Sequence, residues 1–111
     1  MSKDTLYLIV YQDIMDKIFK GEKITEYREC GEYWDKRIVG KEYSKVRITN
    51  GYGNDTRPYI LLRYMGYDKV QYNGTPHYAI PIHRELWKEY RQTIGGKIND
   101  NTEVLFKEND G

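Results

Sequence analysis

At 111 residues the chain has room for one domain and not for two. Its 18 Lys and Arg nearly balance 17 Asp and Glu, for a net charge of +1. That balance excludes the strongly basic footprint of a protein built to hold long duplex nucleic acid, although local patches stay open. A charged fraction of 32% and a mean hydropathy of −0.86 are polar, yet 12 Tyr, 2 Trp and 2 Phe supply ring surface that disordered chains lack. A small and heavily aromatic core is therefore expected.

The longest apolar stretch, Leu6-Tyr7-Leu8-Ile9-Val10-Tyr11, is far short of a membrane span. No charged-then-apolar leader opens the chain, so a secretory signal is not expected. Cys30 is the single cysteine, and with His77 and His83 it forms no recognisable metal box. A soluble cytoplasmic domain without metal, cofactor or membrane partner is the expectation.

In chain order, Leu6 to Tyr11 reads as a buried strand, because a short β-rich apolar run is bounded by polar residues. Ile14, Met15, Ile18 and Phe19 then recur at helical spacing, with Asp13 as the expected N-cap and Gly21 just past the end. Ile24 to Glu29 alternates as a second strand, and Gly31 breaks it. Tyr33, Trp34, Arg37 and Ile38 have the spacing of one or two helical turns. Val46 to Thr49 is a half-buried strand, Asn50 to Asp55 is turn chemistry, and Tyr59 to Met65 is the longest candidate strand. Gly66 interrupts it, with Lys69 to Tyr72 as a bent extension. Asn73-Gly74 is another turn before a strand over His77 to Ile82. Leu86, Trp87 and Tyr90 suggest a last helical patch from Arg84 to Arg91, ended by Gly95-Gly96, and Asn99 to Asn101 reads as loop. Val104-Leu105-Phe106 either adds a strand or covers the barrel before a frayed acidic end. Short strands separated by Gly, Pro and Asn turns predict an α+β fold, an antiparallel sheet closed into a small β-barrel with flanking short helices.

The segment with most chemistry is Gly21-Glu22-Lys23-Ile24-Thr25-Glu26-Tyr27-Arg28. On an extended strand, Glu26 and Arg28 project to one face and Thr25 and Tyr27 to the other. Lys23, at the turn before the strand, can fold its amine toward the first face. Such a Lys-Glu-Arg group offers donors to carbonyls or phosphates and an acceptor to an exocyclic amine. Without a ligand the same residues would form a surface ion-pair row.

Gly21, Lys23, Glu26 and Arg28 match G-x-K-x-x-E-x-R, and in this the chain resembles the ASCH family of the PUA-like superfamily of small barrels. The resemblance runs through Tyr33-Trp34-Asp35-Lys36-Arg37 to Tyr78-Ala79-Ile80-Pro81-Ile82, roughly Thr5 to His83. It implies an ASCH/PUA-like domain over residues 1–94, a partly ordered C-terminal extension over 95–111, and RNA or nucleotide binding in a cleft lined by Lys23, Glu26 and Arg28. One branch of the family hydrolyses the acetyl amide of N4-acetylcytidine, and some small members cleave single-stranded RNA. In the amidohydrolases a catalytic Lys stands at the position of Lys23 and a catalytic Thr at that of Glu26. Glu26 cannot supply a hydroxyl nucleophile, so a hydrolase built here would use Lys23 and Glu26 to direct water.

Rings that share their stretches with arginines suit unpaired bases, which stack on flat side chains. Trp34 and Tyr52 are the expected stacking walls, and Arg37 and Arg57 the expected phosphate contacts. The near-neutral charge favours a nucleoside, a nucleotide or a short RNA as partner. A modified-nucleoside or RNA hydrolase is the alternative, and a protein partner docking on the C-terminal extension is a third reading. Gly51-Tyr52-Gly53-Asn54 reads as a plain turn, His77 and His83 as structural hydrogen-bonders, and Cys30 as an inert thiol.

Overall fold

The computed structural model describes residues 4–51, 57–94 and 97–101, with side chains described no further than residue 92. The first strand, β1 (Thr5–Val10), leads into helix α1 (Gln12–Phe19), strand β2 (Thr25–Glu29) and helix α2 (Glu32–Ile38). Strands β3 (Lys45–Asn50), β4 (Tyr59–Arg63), β5 (Asp68–Tyr72) and β6 (Thr75–Pro81) follow. A 3-10 turn over Arg84–Leu86 then opens into β7 (Trp87–Ile94), and β8 (Lys97–Asn101) comes last.

The fold is α+β, as expected, with one five-stranded sheet in the order β1-β3-β4-β7-β8 and one three-stranded sheet in the order β2-β6-β5. Among the described residues no ladder joins the two sheets into a closed barrel. Nor is the pairing all antiparallel: β1 and β3 run parallel, Thr5 opposite Lys45 and Val10 opposite Asn50. Parallel neighbours need a long crossover, and α1, β2 and α2 provide it. The chain changes sheet between β4 and β5 at Gly66, whose φ of +83° is open to glycine at little cost. What looked like one bent strand is thus two strands in different sheets. Asn73 and Gly74, both at positive φ, close the β5–β6 hairpin.

The core lies between the sheets and under both helices. Leu6, Leu8 and Val10 of β1, Val46 and Ile48 of β3, and Ile60 and Leu62 of β4 meet Met15 and Ile18 of α1, Ile38 of α2, and Tyr78 and Ile80 of β6. This core is mainly aliphatic, which corrects the expectation of an aromatic one: Tyr78 and Trp87 are its buried rings among the described residues. A tyrosine hydroxyl must find a partner or water, so most Tyr sit with their rings at the boundary. β1 is likewise not buried on both faces, since Tyr7 and Ile9 point outward between its three core residues.

Three further expectations need correction. The N-cap of α1 is Tyr11, and Asp13 falls in the first turn, where a carboxylate still favours the positive end of the helix dipole. Arg84 to Arg91 is not a helix but the 3-10 turn followed by β7. The register slips between Leu61 and Leu62, pairing them with Glu89 and Trp87. This bulge sends Trp87 and Tyr90, three residues apart, inward together and so imitates a helical period. Residues 99–101 are not loop but part of β8, whose partner strand supplies the order that their polar composition does not. Gly21, by contrast, sits where expected, at φ +78° with its N–H on the Ile18 carbonyl at 3.0 Å. Val104 to Phe106 lie outside the described residues, and no described helix is long and apolar enough to cross a membrane.

Candidate functional site

The alternation predicted for β2 holds. Tyr27 faces away from the core and stacks on Tyr72 with ring centres 4.2 Å apart. Glu26 faces the other way and is only 4% exposed, the sole buried acidic residue among those described. A buried carboxylate requires charge compensation and hydrogen bonds. Arg28 supplies both: its Nη1 donates to Glu26 Oε2, and also to the Tyr27 carbonyl at 2.9 Å. Its Nη2 donates to the Ile9 carbonyl of β1 at 3.1 Å, so a single guanidinium ties the small sheet to the large one. Lys23 Nζ stands 3.3 Å from Glu26 Oε1, close enough for ionic attraction. It is off hydrogen-bond alignment, however, and Oε1 is buried with no hydrogen-bond donor.

Among the described residues, Glu26 and Arg28 are the charged lining of a cleft of about 480 Å³. Its walls are Tyr7, Ile9 and Val10 of β1, Tyr11 and Ile14 at the start of α1, Tyr33 and Trp34 of α2, and Gly51 beyond β3. The Arg28 guanidinium lies 5.3 Å from the centre of the Trp34 ring, which orients both side chains. The chemistry on offer is an apolar slot with flat rings on its walls, one anionic acceptor and one cationic donor.

Helix α2 carries two of those rings, and its placement is well determined. Gly31 donates its N–H to Asp35 Oδ1 at 3.2 Å, closing the first turn. The buried Tyr78 hydroxyl of β6 donates to the same oxygen. These bonds, the Tyr78 hydroxyl first and the Gly31 N–H second, hold the Asp35 carboxyl below the usual Asp range. The same bond, with burial, holds the Tyr78 phenol protonated well above its ordinary range.

The sequence-predicted residues separate into groups. Glu26, Arg28 and Trp34 line the cleft. Lys23 contacts the cleft only through Glu26, with its amine also 5.5 Å from the Tyr27 ring centre. Arg37 is exposed on α2, where it donates to the Tyr33 carbonyl at 2.8 Å and lies 3.6 Å over the Tyr33 ring, bracing that wall. The exposed Arg57 reaches over Gly51, its Nη1 3.4 Å from where a Cβ would stand, at the cleft rim. Tyr52 lies outside the described residues. Sequence reasoning passed over Tyr7, Ile9, Tyr11 and Ile14 as lining residues. The available signal was the alternation hidden in Leu6 to Val10, where two large apolar side chains on the outward face call for a reason.

Cys30 is a free, half-buried thiol. No group of three or more His, Cys, Asp and Glu able to hold a metal occurs among the described residues. Comparison with protein-family models, curated proteins and solved structures yields no match to this chain, so the reading of the site rests on its own residues.

Proposed function

We propose that the chain is an ASCH-type, PUA-like domain that receives one base of a nucleotide or of a short single-stranded RNA in the cleft between β1, β2 and α2. The observation that carries the reading is Glu26: a carboxylate 4% exposed on the cleft wall, with one oxygen held by Arg28 and the other 3.3 Å from the Lys23 amine but without an aligned hydrogen-bond donor. An exocyclic or ring N–H of a base supplies such a donor, and Arg28 answers with an N–H for the neighbouring ring nitrogen or carbonyl. Flat walls at Trp34 and Tyr33 and a volume within the range of small-molecule sites suit a heterocycle. Arg57 at the rim suits the phosphate. A single free cysteine fits a reducing compartment such as the cytoplasm.

The test is a thermal-shift series with nucleosides, nucleotides and short RNAs. A compound present at about 100 times its Kd adds about 2.7 kcal/mol to stability, several degrees for a domain of this size. Trp34→Ala should weaken binding by the worth of one stack, about 1–3 kcal/mol. If no compound shifts the wild type, the reading is wrong. Product analysis with N4-acylated cytidines and single-stranded RNA tests the hydrolytic alternative, in which Lys23 and Glu26 direct water.

A further inference from the structure

The outward face of the five-stranded sheet is charged very differently from the chain as a whole. Cross-strand register puts Tyr7 opposite Arg47, and Thr5 opposite Lys45. Lys45 is in turn opposite Arg63, Tyr59 opposite Arg91, and Leu61 opposite Glu89. Residues directly opposite each other share a face. By register Asp100 of β8 stands opposite Arg91, and among the described side chains at these positions Lys45, Arg47, Arg63 and Arg91 face out with the carboxylate of Glu89. That carboxylate is occupied, accepting the Tyr59 hydroxyl at 2.7 Å. The Arg47 guanidinium lies 3.9 Å over the Tyr59 ring, and that of Arg91 is 5.8 Å from the same ring centre. A guanidinium stacked on a ring is held in place while its N–H groups point outward in its own plane, the arrangement that suits phosphate oxygens.

The patch is continuous with the cleft. Tyr7 and Ile9 line the cleft and also stand on the outward face of β1, 43% and 39% exposed. Arg47 is the cross-strand neighbour of Tyr7, and β7 lies three strand spacings from β1, about 14 Å.

We propose that single-stranded RNA with one base in the cleft runs over Tyr7 and Ile9 onto this sheet face, where Arg47, Arg63 and their basic neighbours hold its flanking phosphates. The inference rests on the nucleotide-binding reading of the cleft and extends it from one nucleotide to a strand. It assigns the face to a polyanion with regularly spaced charges, which a chain of net charge +1 can hold only by gathering its cations on one side.

The experiment uses the full chain and a labelled RNA about ten nucleotides long, a length that single-strand-binding barrels occupy, with anisotropy followed against salt. Each phosphate contact to a single strand contributes about 0.7 to the slope of log K against log salt. Arg63→Ala should lower the slope by about 0.7 and the Arg47→Ala, Arg63→Ala pair by about 1.4. Calorimetric affinity for a mononucleotide should stay at the wild-type value in both. Arg63 is exposed, so its variant keeps the test valid even if losing Arg47 from Tyr59 disturbs the sheet. An unchanged slope in Arg63→Ala overturns the inference, as does equally tight binding of polyglutamate. A wild type that binds no mononucleotide refutes the cleft reading instead, and the slope still decides the sheet face.

Discussion

Exchanging Glu26 for Gln keeps the shape of the side chain and removes its charge, which isolates what the ion-pair group does for the fold. Glu26 is compensated by Arg28 and Lys23, whose side chains are 15% and 21% exposed. Removing one partner of a fully buried pair costs about 3–5 kcal/mol, because the other charge is left without compensation. Here the two cations keep some access to water, which lowers the expected loss to about 2–3 kcal/mol. At about 4 °C per kcal/mol for a domain of this length, the melting temperature should fall by about 8–12 °C. Urea unfolding should give a midpoint lower by about 1–2 M with an unchanged slope. A double-mutant cycle with Arg28→Met should return a coupling of about 0.5–3 kcal/mol, the range for residues in direct contact. A Glu26→Gln protein within about 0.5 kcal/mol of wild type, with no coupling to Arg28, would refute the claim that a buried charge is held here.

Two other perturbations test the frame that positions the cleft. Gly21→Ala places a Cβ where it meets nothing within 4 Å but at φ +78°, so about 1–2 kcal/mol should be lost in urea unfolding through backbone conformation alone. An unchanged midpoint would show that the turn before β2 is not fixed at that conformation. Tyr78→Phe removes the first cause of the depressed Asp35 carboxyl. A depressed carboxyl stabilises the fold above the ordinary Asp pKa, and that contribution disappears as pH falls through the folded-state value. Wild-type stability should therefore decline more steeply below pH of about 4 than that of the variant, measured by urea midpoints across pH. Parallel pH profiles would count against the Tyr78–Asp35 bond.

Local signals carried the elements whose pattern and partners agree. The Glu26/Arg28 and Thr25/Tyr27 alternation on β2 and the stop at Gly21 follow from side-chain period and backbone sterics, and both were legible. β7 was not, because a bulge that depends on β4 converts a strand period into a helical one. β8 was hidden for a related reason, as Ile98 is the one strand-favouring residue in Lys97 to Asn101 and the segment pairs with β7. Three of the residues that line the candidate site could be read in the same way. Glu26, Arg28 and Trp34 stand in one short stretch of chain, whereas Tyr7 and Ile9 reach the cleft only through the packing of the two sheets, with Arg28 of β2 bridging to the Ile9 carbonyl of β1. The aromatic count misled about the core, since it gives no information on which rings face solvent.

The most direct test of the central claim is an NMR titration of the wild type with a mononucleotide, following the Arg28 guanidinium, the Trp34 indole and the Glu26 carboxyl carbon. Binding in the cleft predicts that all three signals move together along one saturation curve, and that Glu26→Gln loses the response while remaining folded. Saturation that leaves Arg28 and Trp34 unmoved, or a response that persists in Glu26→Gln, would contradict it.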